Sequence, residues 1–198
     1  MDGGSTDLTS LLDAVAQGDT AALDAVVTIL YDELRGLARQ QRRRWQGNYT
    51  LDSTALVHEA YLKLVRQKRL KTASRAHFLA LASRAMRHVL TNYAQEQRAR
   101  KRGGGLDRVS LRDVVQTTAQ AGPAGGDAAD ALVSLDRALT QLETVHGRAC
   151  RVVECRFFGG LSVEETAVAL GVSTRTVKRD AAYAQAWLNR ALGGMGEA

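Results

Sequence analysis

The longest uninterrupted helical pattern in the chain runs from Ser74 to Arg102, SRAHFLALASRAMRHVLTNYAQEQRARKR, and no proline breaks it. Phe78, Leu79, Ala82, Met86, Val89, Leu90 and Tyr93 recur at the i, i+3/i+4 spacing of one helical face. Arg75, Arg84, Arg87, His88, Arg98, Arg100, Lys101 and Arg102 fall mostly off that stripe, and Glu96 is the only acid in the run. A helix of this kind docks by its apolar face and turns its cations toward a polyanion. A short charge run is usually a solvated face and nothing more. This one is long, one-signed and ends in ARKR followed by three glycines, which points to nucleic acid.

At 198 residues the chain has room for one domain or two small ones. Apolar residues make up 45% of it but aromatics only 5%, so its core is built of Leu, Val and Ala, as in small helical bundles. A net charge of +6 favours an anionic partner. No apolar run reaches the ~18 residues of a membrane span, and the acidic N-terminus is unlike a signal peptide. The expectation is a cytoplasmic protein with no membrane partner. Every charged side chain before Arg35 is acidic: Asp2, Asp7, Asp13, Asp19, Asp24, Asp32 and Glu33. The sign then reverses at Arg35, Arg39 and Arg42–Arg44. Such an acidic end stays off nucleic acid, or shields the basic surfaces from binding it indiscriminately.

Taken in order, the chain reads as all-α. Leu8, Leu11, Leu12 and Val15 mark a first amphipathic helix ended by Gly18, with Asp19 placed to cap the next. Leu23, Val26, Val27, Leu30, Tyr31, Leu34 and Leu37 carry a second to about Trp45, and Gly47–Asn48 breaks it. Asp52 or Ser53 caps a third, TALVHEAYLKLVRQ, with Leu56, Ala60 and Leu64 inward. After a short basic connection, Lys68–Ala73, the long helix makes a fourth. No alternating run supports a strand. Residues 1–103 therefore form one four-helix domain. Residues 104–130 hold the only proline and much of the glycine and alanine, and read as a flexible linker.

Residues 131–198 form a second small domain. Leu132, Leu135, Leu139 and Leu142 make one stripe, and Ala149, Val152, Val153, Phe157 and Phe158 another, closed by Gly159–Gly160. LSVEETAVALGVSTRTVKRDAAYAQAWLNRAL follows. Ser162-Val-Glu-Glu165 is a capping box. Ala167 is small where a second helix crosses, Gly171 supplies a tight turn, Val172 and Val177 fill the angle, and Ser173 caps the next helix. This is a helix-turn-helix, whose second helix enters a major groove by its N-terminal end. Ser173, Thr174, Arg175, Thr176, Lys178 and Arg179 lie on or near that end.

With these two surfaces the chain resembles sigma factors of the extracytoplasmic-function (ECF) type, and within them the ECF-like branch. TLDSTALVHEAYLKL, SRAHFLALASRAMRHVL and VVECRFFGGLSVEETAVALGVSTRTVKRD carry the resemblance, which covers about Leu8 to Leu192. It implies a sigma-2-like N-terminal domain and a sigma-4-like C-terminal one. It also implies binding to core RNA polymerase, through the clamp helices of its largest subunit and its flap region, and promoter-specific transcription initiation. Leu56, Glu59, Leu62 and Lys63 match the segment that grips the clamp helices. Arg75, His77, Arg84, Arg87, His88, Asn92 and Arg98 lie in the part that captures the melted minus-ten element. Extruding a base there needs a pocket and phosphate clamps. Ser173, Thr174, Arg175, Thr176, Lys178 and Arg179 match the reader of the minus-thirty-five element. The resemblance leaves room for an anti-sigma factor or another regulator. Ala85 stands where many relatives carry Asn, Asn92–Tyr93 where this branch often has Asp-His, and Ala181 near a usual Trp.

Catalytic readings find no support. His58-Glu59 is followed by Leu62 where a metalloprotease needs its second His, and no GxxxxGK phosphate loop is present. His146, Cys150 and Cys155 offer three ligands without a fourth, so no metal or other cofactor is expected and the cysteines read as buried thiols. The competing reading is a conventional dimeric helix-turn-helix regulator, with residues 1–102 as a dimerisation domain and no dependence on polymerase for DNA binding.

Overall fold

A computed structural model describes residues 3–44, 51–67, 70, 72, 74–101 and 127–193. Among them the helices are α1 (Gly3–Gln17), α2 (Thr20–Ile29), α3 (Tyr31–Arg44), α4 (Ser53–Val65), α5 (Arg75–Lys101), α6 (Asp127–Val153), a π-helical turn (Glu154–Phe158), α7 (Val163–Leu170) and α8 (Thr174–Gly193), with no strand. The chain is all-α, as its periodicity predicts.

The helix starts follow from side-chain chemistry. Asp19 Oδ1 accepts from the Ala22 N–H at 3.1 Å and opens α2, and Asp52 Oδ1 accepts from Ala55 N–H at 2.7 Å and opens α4. Asp52, not Ser53, is therefore the cap. Ser74 Oγ accepts from His77 N–H at 3.2 Å and opens α5. The pattern predicted as one helix to Trp45 is divided at Leu30, where φ −95° and ψ 11° leave the helical region. The buried stripe Val26, Leu30, Leu34 runs straight across that break, so periodicity alone does not reveal it. The β-branched run Val26-Val27-Thr28-Ile29 is the local reason, since such side chains crowd the preceding turn.

In the C-terminal half, the two predicted stripes are the two arms of one bent helix. α6 breaks at His146, with φ −149° and ψ 73°. His146 Nδ1 accepts from Ala149 N–H at 3.2 Å and so restarts the helix, while its ring packs on Tyr183 at 5.0 Å. α6 begins at Asp127, so residues 127–130 belong to this helix. The rest of the predicted linker lies outside the described residues, as do Trp45, the Gly47–Asn48 break, the Lys68–Ala73 connection except Leu70 and Thr72, and the side chain of Arg98.

α5 is the axis of the molecule. Phe78, Met86 and Leu90 bury one face of it against Leu56, Val26 and their neighbours. A second face, Ala76 and Ala80, packs on Cys155, Leu161, Ala169 and Leu170 from the other half. Small side chains at those two positions allow the close approach. One continuous apolar cluster includes Phe78, Met86 and Leu90 together with Leu132, Leu139, Leu142 and Phe158. α5 thus touches α3 and α4 on one side and α6, the π-helical turn and α7 on the other.

Candidate nucleic-acid interface

The angle between α7 and α8 is fixed by reciprocal capping and a left-handed turn. Ser162 Oγ accepts from Glu165 N–H at 3.0 Å, and Glu165 Oε2 accepts from Ser162 N–H at 2.7 Å. Those hydrogen bonds hold the Glu165 carboxyl below its ordinary range. Gly171 takes φ +64°, which favours glycine. Val177, wholly buried, packs with Val152 and Ala167 inside the angle.

At the start of α8, Ser173 Oγ accepts from Thr176 N–H at 3.2 Å and shares a hydrogen bond of 2.9 Å with the Thr176 hydroxyl. These two predicted DNA contacts are engaged in shaping the helix end. Thr174, Arg175 and Lys178 stand exposed beside them. Arg179 is also exposed but turns back on Asp180 at 3.4 Å. The buried Asp180 carboxylate accepts from Arg148 Nε at 2.5 Å, and that bond holds its pKa below the ordinary value. Asp180 therefore ties α8 to the second arm of α6.

The second cationic region lies between α4 and α5, around a cavity of about 510 Å³ lined by Lys63, Gln67, Leu81, Arg84, Ala85 and His88. Lys63, predicted to meet polymerase, and Arg84 and His88, predicted to meet DNA, are here brought together. With its amide nitrogen turned to the His88 carbonyl at 3.2 Å, Asn92 accepts from Lys63 Nζ at 3.3 Å. Burial, reinforced by Arg87, pushes the His88 pKa down to about 4, so at neutral pH the ring is uncharged and acts by hydrogen bonding. Burial and then Arg151 lower that of His77 as well. Arg75 pairs on the surface with Glu33 of α3.

Two predictions need correction. Leu56 is wholly buried, which makes it core and not a polymerase contact; Glu59 is exposed and Leu62 and Lys63 are half-buried on the same helix. Arg87 is 3% exposed and not presented to solvent. The reason is the second buried face of α5: Arg84 and Arg87 continue the line of Ala76 and Ala80 and run under the C-terminal half. Arg84 Nη2 donates to both carboxylate oxygens of Glu143 at 2.8 Å, and its Nε lies 3.4 Å from Glu154. Arg87 pairs with Asp136 and, at 3.0 Å, with Glu154, while its guanidinium lies 5.4 Å from the centre of the Phe158 ring. Burial pushes the Glu154 carboxyl above its ordinary range, and the two guanidiniums only partly offset this.

Sequence reasoning passed over Asp136, Glu143, Glu154 and Gln41, which is buried and donates from Nε2 to the Ser83 carbonyl at 3.1 Å and more weakly to that of Phe158 at 3.5 Å. The available signal was Glu154 itself, a lone acid inside the apolar run VVECRFF. Cys150 and Cys155 are both buried, and burial first, then Glu154, pushes each thiol up to about 12. Such thiols stay protonated and unreactive.

The chain matches the ECF sigma factor family model over residues 5–194, which spans both halves and every residue of these two regions. The protein belongs to the ECF sigma factor family. No curated protein and no solved structure matches it. As an ECF sigma factor it serves transcription directed by RNA polymerase, with core polymerase and promoter DNA as partners, and its family is one of initiation factors and not of catalytic enzymes. Among the described residues, no helix of the sigma factor is long and apolar enough to cross a membrane.

Proposed function

We propose that this sigma factor reads two separated promoter elements, the minus-ten element with its N-terminal half and the minus-thirty-five element with its helix-turn-helix. The observation that carries this reading is the pairing of two distinct cationic sites on one chain. One is an exposed, well-capped recognition end with Thr174, Arg175 and Lys178. The other is a cavity of about 510 Å³ edged by Lys63, Arg84 and His88, a polar recess of the size an extruded base requires. The recognition end reads duplex through the major groove. The recess takes a base from the melted strand, with Arg84, Arg87 and Arg75 as phosphate clamps and neutral His88 and His77 as hydrogen-bonding groups. Arg98 and Asn92 belong to the same helix, Asn92 acting by holding Lys63 in place. Glu59, Leu62 and Lys63 on α4 form the surface for the clamp helices of polymerase.

The functional division is 1–103 for polymerase and the minus-ten element, 104–130 as linker, and 131–198 for the minus-thirty-five element. Two elements about two helical turns apart are separated by ~70 Å. Residues 104–130 reach ~90 Å when extended but average only ~30 Å as a coil. Holding both elements at once therefore calls for a polymerase surface along which the linker is stretched.

Run-off transcription tests this, using purified core polymerase and a library of promoter fragments with and without the protein. Initiation that depends on the protein and on two spaced elements is expected. Polymerase-independent binding of a dimer to a palindrome, without initiation, would replace this reading with that of a conventional regulator.

A further inference from the structure

The carboxylates that hold Arg84 and Arg87 all come from the half of the chain that carries the helix-turn-helix: Asp136 and Glu143 on α6 and Glu154 on the π-helical turn. We propose that this is an autoinhibitory contact, in which the C-terminal half occupies the DNA-facing surface of α5 with three carboxylates in the place of phosphates, and must leave before α5 can take up a melted strand. The proposal rests on the reading of α5 as a DNA surface.

The chemistry of the contact is that of phosphate binding. A guanidinium presents a planar fork that suits two oxygens of a carboxylate or of a phosphate equally well. Arg84 already meets both oxygens of Glu143 at 2.8 Å. Arg87 is enclosed by Asp136, Glu154 and the Phe158 ring. Neither can clamp a nucleic-acid backbone while so engaged.

The seam is also incompletely satisfied, unlike the interior of a permanent core. Gln41 Oε1, Ser83 Oγ and Arg87 Nε are buried along it without a hydrogen-bond partner. Such atoms recover their hydrogen bonds in water once the seam opens, which favours separation. Residues 102–126 join α5 to α6, and a connection of that length spans up to about 80 Å when extended, so the halves can part without breaking either. Arg175 and Lys178 stay exposed in the closed form, so the seam covers one of the two DNA-facing sites and leaves the other open.

The test uses the full chain with Asp136→Lys and Glu143→Lys combined, which sets lysines against Arg84 and Arg87 and repels the halves. The control carries Asp13→Lys and Asp32→Lys, which make the same change in net charge at exposed positions away from the seam. The probe is a fluorescent single-stranded 12-mer of randomised sequence, titrated at fixed salt, with amide hydrogen exchange across α5 followed in parallel. The seam variant is expected to bind at least tenfold more tightly than the control, with faster exchange in the Ala76–Arg87 stretch. Equal affinities for seam and control variants would overturn the proposal, whether or not exchange in α5 changes. Run-off transcription on the same proteins separates the two readings: a tenfold gain in oligonucleotide binding without initiation by any variant would retain the closure and remove the promoter assignment.

Discussion

Arg87 of α5 and Glu154 of the π-helical turn meet at 3.0 Å across the seam between the two halves, with side-chain exposures of 3% and 6%. A charge pair so deeply placed is specified by geometry more than it is stabilised by attraction, because both ions have left water. Removing one partner is therefore worse than removing both.

Glu154→Ala should destabilise the protein by about 2–4 kcal/mol, since Arg87 is then left with Asp136 alone. Glu154→Leu combined with Arg87→Met should recover most of that loss. Denaturant unfolding of the two single variants and the double variant gives the coupling directly, and additive losses would show that the pair is energetically unimportant.

The helix-turn-helix makes a separate prediction. Arg175→Ala and Lys178→Ala remove exposed cations without touching the capping hydroxyls of Ser173 and Thr176. Each should weaken binding of a minus-thirty-five duplex by about 1–3 kcal/mol if it reaches a base edge, and less if it reaches only phosphate. Thermal unfolding should not change. Competition between cognate and scrambled duplexes distinguishes the two kinds of contact.

Two glycines should respond oppositely to alanine. A Cβ on Gly159 would sit 2.7 Å from the carbonyl oxygen of Cys155, a backbone atom with little freedom to move. Gly159→Ala should therefore lower stability by about 1–3 kcal/mol. A Cβ on Gly36, inside α3, meets nothing within 4 Å, and Gly36→Ala should raise stability by about 0.5–1 kcal/mol. Melting temperatures of the two variants should lie on either side of the parent.

The pH response of His88 has a definite sign. Its folded-state pKa of about 4 lies below the ordinary 6.5, so between those values the unfolded chain binds a proton that the folded chain refuses. Stability attributable to His88 is therefore full above pH 6.5 and falls as pH drops toward 4. With its side chain 37% exposed, the loss should be no more than about 1 kcal/mol. Glu154, shifted upward, works in the opposite sense, its contribution fading as pH rises through its folded pKa. Comparing the parent with His88→Gln in denaturant at pH 7.5 and 5 isolates the histidine: the variant should lose less stability on acidification.

The sequence was most legible where local chemistry decides structure. Asp19, the capping box of Ser162 and Glu165, the left-handed Gly171 and the buried Val177 each follow from a rule confined to a few neighbouring residues. The apolar stripe of α5 was legible for the same reason. What periodicity could not report is that α5 has two buried faces, because the second is lined by alanines and arginines, residues that look equally at home in solvent. The pairing of Arg84 with Glu143 joins positions 59 apart, and nothing local to either residue names the other. The bend at His146 was hidden as well, since the ring replaces a serine or aspartate as the capping acceptor.

Proteins that bind nucleic acid through arginine ordinarily draw much of their affinity from the small cations that the polyanion sheds. Arg84 and Arg87 meet their own chain's carboxylates, so a strand arriving at α5 exchanges one organic anion for another and releases correspondingly little net salt. The salt dependence of binding at α5 should accordingly be shallower than its count of arginines implies, while that of the recognition helix, with Arg175 and Lys178 open to solvent, should follow the full counterion-release slope.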